Sequence, residues 1–148
     1  MEFICFEKEF VARTKCIVKT LCKDEFIYDV TLLLNCLLGL VSLPTEHTET
    51  NDDLFKNMCV NKLKDMDVIR KHTDDHKTFR TIKNALSHMN IKPQNKGGVV
   101  DSIIIEDRSD RGSPPHTELH FTVLQLQEFA LFVADKHLEH LSNKGNAD

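Results

Sequence analysis

The chain of 148 residues contains no CxxC pair, no phosphate-cradling GxxxxGK(S/T), no GxGxxG, no GxSxG elbow, no internal repeat and no apolar run of bilayer length. The missing glycine motifs argue against a P-loop nucleotide hydrolase, a dinucleotide-binding fold and an α/β-hydrolase serine enzyme. Five cysteines, an odd number with no CxxC spacing among them, sit mostly beside apolar residues and read as reduced, buried thiols of a cytoplasmic protein. The most apolar segment, Val30 to Val41, includes Thr31, Asn35 and Gly39 and is shorter than the roughly 20 residues that span a bilayer. A buried helix is expected there, with no membrane contact. No basic region leads into an apolar stretch near Met1, so no secretory signal is expected.

What is present suits one compact domain: 41% of residues are hydrophobic and 28% charged, with a formal net charge of −4. Phe3, Phe6, Phe10, Ile17 and Leu21, with Ile4, Val11 and Val18, recur at helical spacing and predict helix one over Glu2 to Cys22. YDVTLLLNCLLGLV, apolar nearly all round, predicts a central helix two stopped by Pro44. Helix three is expected over Leu54 to Lys64, and helix four from a cap at Asp74 or Asp75 to about Met89. Pro93 and Gly97-Gly98 break the pattern. The β-branched stretch Val99 to Glu106, the turn-forming DRSDRGSPP, and Leu119 with Phe121 then predict a small hairpin. Thr122 and Gln125 have capping-box spacing, and Phe121 and Leu126 occupy staple positions, so helix five should start near Val123 and run to about Leu141. Residues 1–141 are expected to form the domain and residues 142–148 a disordered tail.

Charge is unevenly distributed. Met1 to Phe55 holds five basic and ten acidic residues and Gly97 to Asp148 four and nine, whereas Lys56 to Lys96 holds ten and four. A mildly acidic protein thus carries one basic region, suited to a phosphate-bearing ligand or simply to a solvated helix face. On helix four, Phe79, Ile82, Ala85, Leu86 and Met89 gather on one side, to pack on helix two. Arg80, Asn84 and His88, spaced i, i+4, i+8, form a polar stripe elsewhere, with Lys83 about 140° from His88 at 100° per residue. Histidine can move a proton and a cation can stabilise charge developing on a phosphoryl group; two copies of the stripe meeting across a twofold axis could line one cleft.

The segment Lys83 to His88, KNALSH, following two long apolar helices, resembles the signature of the HEPN (higher eukaryotes and prokaryotes nucleotide-binding) superfamily, an arginine followed after four to six residues by histidine. Tyr28 to Pro44, YDVTLLLNCLLGLVSLP, is similar to helix two of a plasmid- and defence-associated subfamily. The resemblance implies an all-α antiparallel bundle, here with a small β-hairpin between helices four and five. It also implies a homodimer acting as a metal-independent endoribonuclease that leaves a 2′,3′-cyclic phosphate and a 5′-hydroxyl, without cofactors. By position, His88 matches the motif histidine, Asn84 the polar residue after the arginine, and Lys83 the arginine. Lysine keeps the charge but lacks the planar fork that grips phosphate bidentately. Arg80, one turn earlier on the stripe, is the alternative cation. Asn35 is either a satisfied core amide or a group directed at the site, and Ser87 is a second candidate for contact with substrate. RNA, a second copy and an antitoxin or regulatory protein are the expected partners, in a toxin or phage-defence role. A catalytically silent module binding RNA, a nucleotide or a protein is the competing reading.

The remaining histidines have simpler readings. His72 and His76, four apart, offer too few ligands for a metal; HTELH, His116 to His120, lacks a glutamate immediately after its first histidine, where a zinc-protease helix has one, and follows Pro114-Pro115; His137 and His140, near the expected end of helix five, suit a capping or surface role.

Overall fold

A computed structural model describes residues 2–21, 29–46, 53–72, 78–88, 90–108 and 112–146. Helices α1 (Glu2–Leu21), α2 (Asp29–Glu46) and α3 (Asp53–Asp65) precede strand β1 (Ile69–Lys71). Helix α4 (Thr78–Ser87) then leads to strands β2 (Ile91–Lys96), β3 (Val99–Asp107) and β4 (Thr117–Thr122), and helix α5 (Val123–Asn146) closes the order. The strands form one antiparallel sheet in the order β1-β4-β3-β2. The fold is therefore α+β, which corrects the expected all-α bundle with an inserted hairpin. The hairpin is the centre of a sheet: Ile103, Ile105, Leu119 and Phe121 are buried, and α4 and α5 pack against β3. Pairing on both flanks then recruits β1 and β2, neither of which has the alternating apolar pattern of a half-buried strand.

Local chemistry sets the boundaries. The Thr122 N–H donates to Gln125 Oε1 at 3.0 Å and the Gln125 N–H to Thr122 Oγ1 at 3.1 Å, a reciprocal capping box with Phe121 and Leu126 both buried beside it. Helix α5 continues to Asn146, past the expected end at Leu141, and α2 runs through Pro44, its expected stop, to Glu46. The expected caps of α4, Asp74 and Asp75, lie outside the described residues. Gly97 and Gly98, with φ of 63° and 83°, are more than a break in the pattern: they form the two-residue turn joining β2 to β3.

The core joins α1, α2, α3, α4, α5 and the inner side of the sheet. On α1 the buried line is Val11, Thr14 and Val18, while Phe10 and Ile17, expected inside, are exposed. Helix α2 is not enclosed all round: Thr31, Leu32 and Asn35 face solvent, so Asn35 is not a core amide. Phe10 lies against α2 at Gly39, where an added Cβ would come within 2.9 Å of its ring. Cys36 and Cys59 are buried and their thiols are pushed up by that burial, Cys59 to about 12, with Lys136 acting in the opposite sense. Cys16, by contrast, is exposed, and the side chains of Cys5 and Cys22 lie outside the described residues.

His137 overturns its surface assignment. Because α5 runs on to Asn146, His137 sits well inside the helix. It is fully buried, its ring 5.6 Å from that of Phe55, and neither ring nitrogen has a hydrogen-bond partner among the described residues. Burial, helped by nearby His140, lowers its pKa to about 4, so the folded protein holds it neutral. An unfolded chain binds that proton at about pH 6.5, so the unfolded state takes up more protons between pH 6.5 and 4. Stability is therefore full above pH 6.5 and falls by up to about 3 kcal/mol as the pH drops to 4. Urea unfolding at pH 7 and pH 5 should show this loss, and His137→Leu should flatten it; an unchanged pH dependence in the variant would remove His137 from the effect.

Candidate active site on helix α4

Helix α4 forms because Ile82, Ala85 and Leu86 provide one apolar side that packs against α2 and β3. Thr78 and Thr81 are buried on the same side, and the Phe79 and Met89 side chains lie outside the described residues. At its start, Thr78 Oγ1 lies 3.1 Å from His72 Nε2, linking α4 to the end of β1. At its end, the His88 N–H donates to the Asn84 carbonyl at 2.9 Å and the Asn90 N–H to the Ala85 carbonyl at 2.8 Å. The first of these bonds keeps His88 in helical register, so the i, i+4, i+8 stripe holds through to the histidine. Asn90 then accepts the Glu106 N–H at 3.1 Å, joining the helix end to the sheet.

At 100° per residue, His88, Asn84, Arg80, Ser87 and Lys83 occupy a single arc of about 140° in that order. Arg80, Ser87 and His88 are exposed, and Lys83 and Asn84 are partly buried. The five α4 candidates thus share one outward side, with His88 and Lys83 at its opposite limits. Asn35 does not join them directly: it lies on the exposed side of α2, and no hydrogen bond or ion pair links it to the stripe among the described residues. Helix α4 contains no acidic residue, and Arg80 has no ion-pair partner among the described residues.

The basic region divides. Lys62 is bound to Glu128 at 2.8 Å and stands over the Phe132 ring, so its charge serves the packing of α3 on α5. Arg70 and Lys71 on β1, Arg80 and Lys83 on α4, and Lys92 and Lys96 on β2 belong to the half of the molecule built from α4 and the sheet. A carboxylate balances part of this charge: Glu106, nearly buried, is 2.7 Å from Arg108 and 3.3 Å from Lys92. Burial alone would raise its pKa, but the hydrogen bonds and charges of those two cations hold it below the usual value. Arg108 also donates to the Ser113 carbonyl at 2.7 Å, fixing the β3–β4 connection.

The other histidine pairs remain apart from this site. His116 lies 3.4 Å from Asp107 and His120 2.5 Å from Glu118, both at the sheet, and His76 lies outside the described residues. Among the described residues no group of three or more His, Cys, Asp and Glu could hold a metal ion, and no helix is long and apolar enough to cross a membrane. Two features escaped sequence reasoning. One is the exposure of Phe10 and Ile17 on α1 and of Leu32 on α2, hidden because the same residue types also line cores. The other is the pair of flanking strands, β1 and β2; for β2 the Gly97-Gly98 dipeptide was the available signal.

The α4 arc offers an imidazole for proton transfer, cations for a phosphoryl group and an amide for orientation, with His88 and Arg80 exposed and Lys83 and Asn84 partly buried. A family model described as HEPN pEK499 p136 matches residues 2–144. No curated protein and no solved structure matches the chain.

Proposed function

The chain belongs to the HEPN pEK499 p136 family, and from that membership together with the α4 arc we propose that it is a metal-independent endoribonuclease acting as a homodimer. Membership supports a nucleotide- or RNase-like function in general; the particular reaction is carried by one observation, the single outward arc shared by the exposed His88 and Arg80 and the partly buried Asn84 and Lys83. In this reading the 2′-oxygen of RNA attacks the adjacent phosphorus and the P–O5′ bond breaks. A 2′,3′-cyclic phosphate and a 5′-hydroxyl result. His88 accepts the proton from the 2′-hydroxyl or delivers one to the departing 5′-oxygen, Lys83 or Arg80 stabilises the charge on the phosphorane-like state, and Asn84 orients the phosphate. Ser87 lies between Arg80 and Lys83 in the arc and can contact the same phosphate.

A single arc separates His88 from Lys83 by about 140°, so the two meet on one phosphate when the cation comes from a second copy. Phe10 and Ile17 on α1 and Leu32 on α2, each exposed by 36% or more, support dimerisation, because large apolar side chains open to water are favourable to cover. Leu32 belongs to α2, the helix that packs against α4, and Phe10 lies against α2 at Gly39. A toxin or phage-defence role, with an antitoxin as regulator, would follow from such a nuclease. The second reading, a silent RNA- or protein-binding module, is favoured by lysine at the motif's arginine position. Incubating wild-type protein with mixed-sequence RNA in EDTA and mapping the product ends tests the choice. The nuclease produces 2′,3′-cyclic phosphates; bound but intact RNA supports the silent module.

A further inference from the structure

Three residues beyond His88, the chain enters a ribbon that the catalytic reading does not use. Strands β2 and β3 pair from Ile91 to Lys96 and turn at Gly97-Gly98. Every residue of β2 after Ile91 is exposed, on both sides of the strand, so this part of the ribbon projects beyond the helices that cover the rest of the sheet. Its surface is Lys92, Pro93, Gln94, Asn95 and Lys96, two cations and two amides without an acid. We propose that this ribbon is an arm that grips single-stranded RNA beside the α4 arc, with Lys92 and Lys96 contacting phosphates and Gln94 and Asn95 the sugar or base edges. The inference rests on the reading of α4 as an RNA site and extends it to the substrate beyond the scissile phosphate.

The chemistry favours RNA over a protein strand or a second copy. Proline at position 93 removes a backbone donor, and lysines on an edge strand discourage pairing with another strand. The described side chains of β2 beyond Ile91 include no large apolar group that would drive protein docking. Lys92 donates to Glu106 Oε1 at 3.3 Å while Arg108 holds the other oxygen at 2.7 Å, yet the Lys92 side chain stays 61% exposed and can exchange this long contact for a phosphate; Lys96 has no ion-pair partner among the described residues. Asp101, the exposed carboxylate of β3, lies at the bulge where the pairing shifts from Gln94↔Ser102 to Asn95↔Val100. Between Lys92 and Lys96 the strand advances about 13 Å, enough to separate two phosphate contacts along an extended strand.

The test is the binding of a fluorescent, mixed-sequence single-stranded RNA to the full-length His88→Ala protein across a salt series, with and without Lys92→Gln/Lys96→Gln. The arm predicts about tenfold weaker binding and a plot of log Kd against log salt shallower by about 1.4, the value for two lost phosphate contacts on a single strand. Lys92→Arg/Lys96→Arg should keep both the affinity and the slope. Affinity within twofold and an unchanged slope would overturn the proposal and leave the lysines as guards of a strand edge, and so would an absence of RNA binding by the parent. Ribbon-dependent binding by a protein whose wild type leaves RNA intact would sink the nuclease reading alone; cleavage with ribbon-independent binding would sink the arm alone.

Discussion

His88→Ala is expected to lower the rate of RNA cleavage by about 10²- to 10⁴-fold, the range over which a positioned general acid or base contributes. The loss should be chemical. The His88 side chain is exposed, and the contact that holds the residue in register, its N–H to the Asn84 carbonyl at 2.9 Å, uses only backbone atoms. Alanine preserves that bond, so folding and RNA binding should persist while the products with cyclic phosphate ends disappear. Denaturant midpoints for wild type and variant, measured beside the cleavage rates, check that separation. Equal cleavage by the two proteins would remove His88 from the reaction.

The second large effect concerns the cation. Loss of one preorganised group that stabilises developing charge lowers rates by about 10²- to 10³-fold. Lys83 occupies the motif position, at the far limit of the arc, and Lys83→Ala should show that loss. Arg80→Ala should show a smaller one, because Lys83 and not Arg80 occupies the motif position. Lys83→Arg should retain or raise activity, since the guanidinium restores the bidentate grip on phosphate. Initial rates for the three variants on one RNA at fixed salt decide the order; a greater loss with Arg80→Ala than with Lys83→Ala would transfer the role to Arg80.

Where the chain was legible, several local signals agreed. The start of α5 could be read to the residue because Thr122, Gln125, Phe121 and Leu126 satisfy cap and staple together, and β3 because its β-branched run lies between turn residues. The α4 arc followed from helical spacing alone. The rest depended on tertiary context. Strand β1 has three residues and β2 contains Pro93, so both exist by pairing with the hairpin and leave little trace in hydropathy. Val11, Thr14 and Val18 took the buried side of α1 from the larger Phe10 and Ile17, because the short side chains let α1 sit close to its neighbours. His137 misled through the helix end: with α5 ending at Leu141 it would lie near the last turn, and with α5 reaching Asn146 it faces Phe55 across the core. Asn35 misled in the opposite direction, an amide in an apolar helix that nevertheless faces solvent.

A site completed by two copies has a direct signature. His88→Ala and Lys83→Ala proteins, each inactive alone, are mixed, unfolded and refolded together so that mixed dimers form. In such a dimer one site lacks both groups while the other has His88 from one copy and Lys83 from the other. The account predicts that RNA cleavage with 2′,3′-cyclic phosphate ends returns in the mixture and is absent from either variant treated alone. A mixture that forms mixed dimers and still leaves RNA intact would contradict the composite site, placing both groups, if they act at all, within one copy.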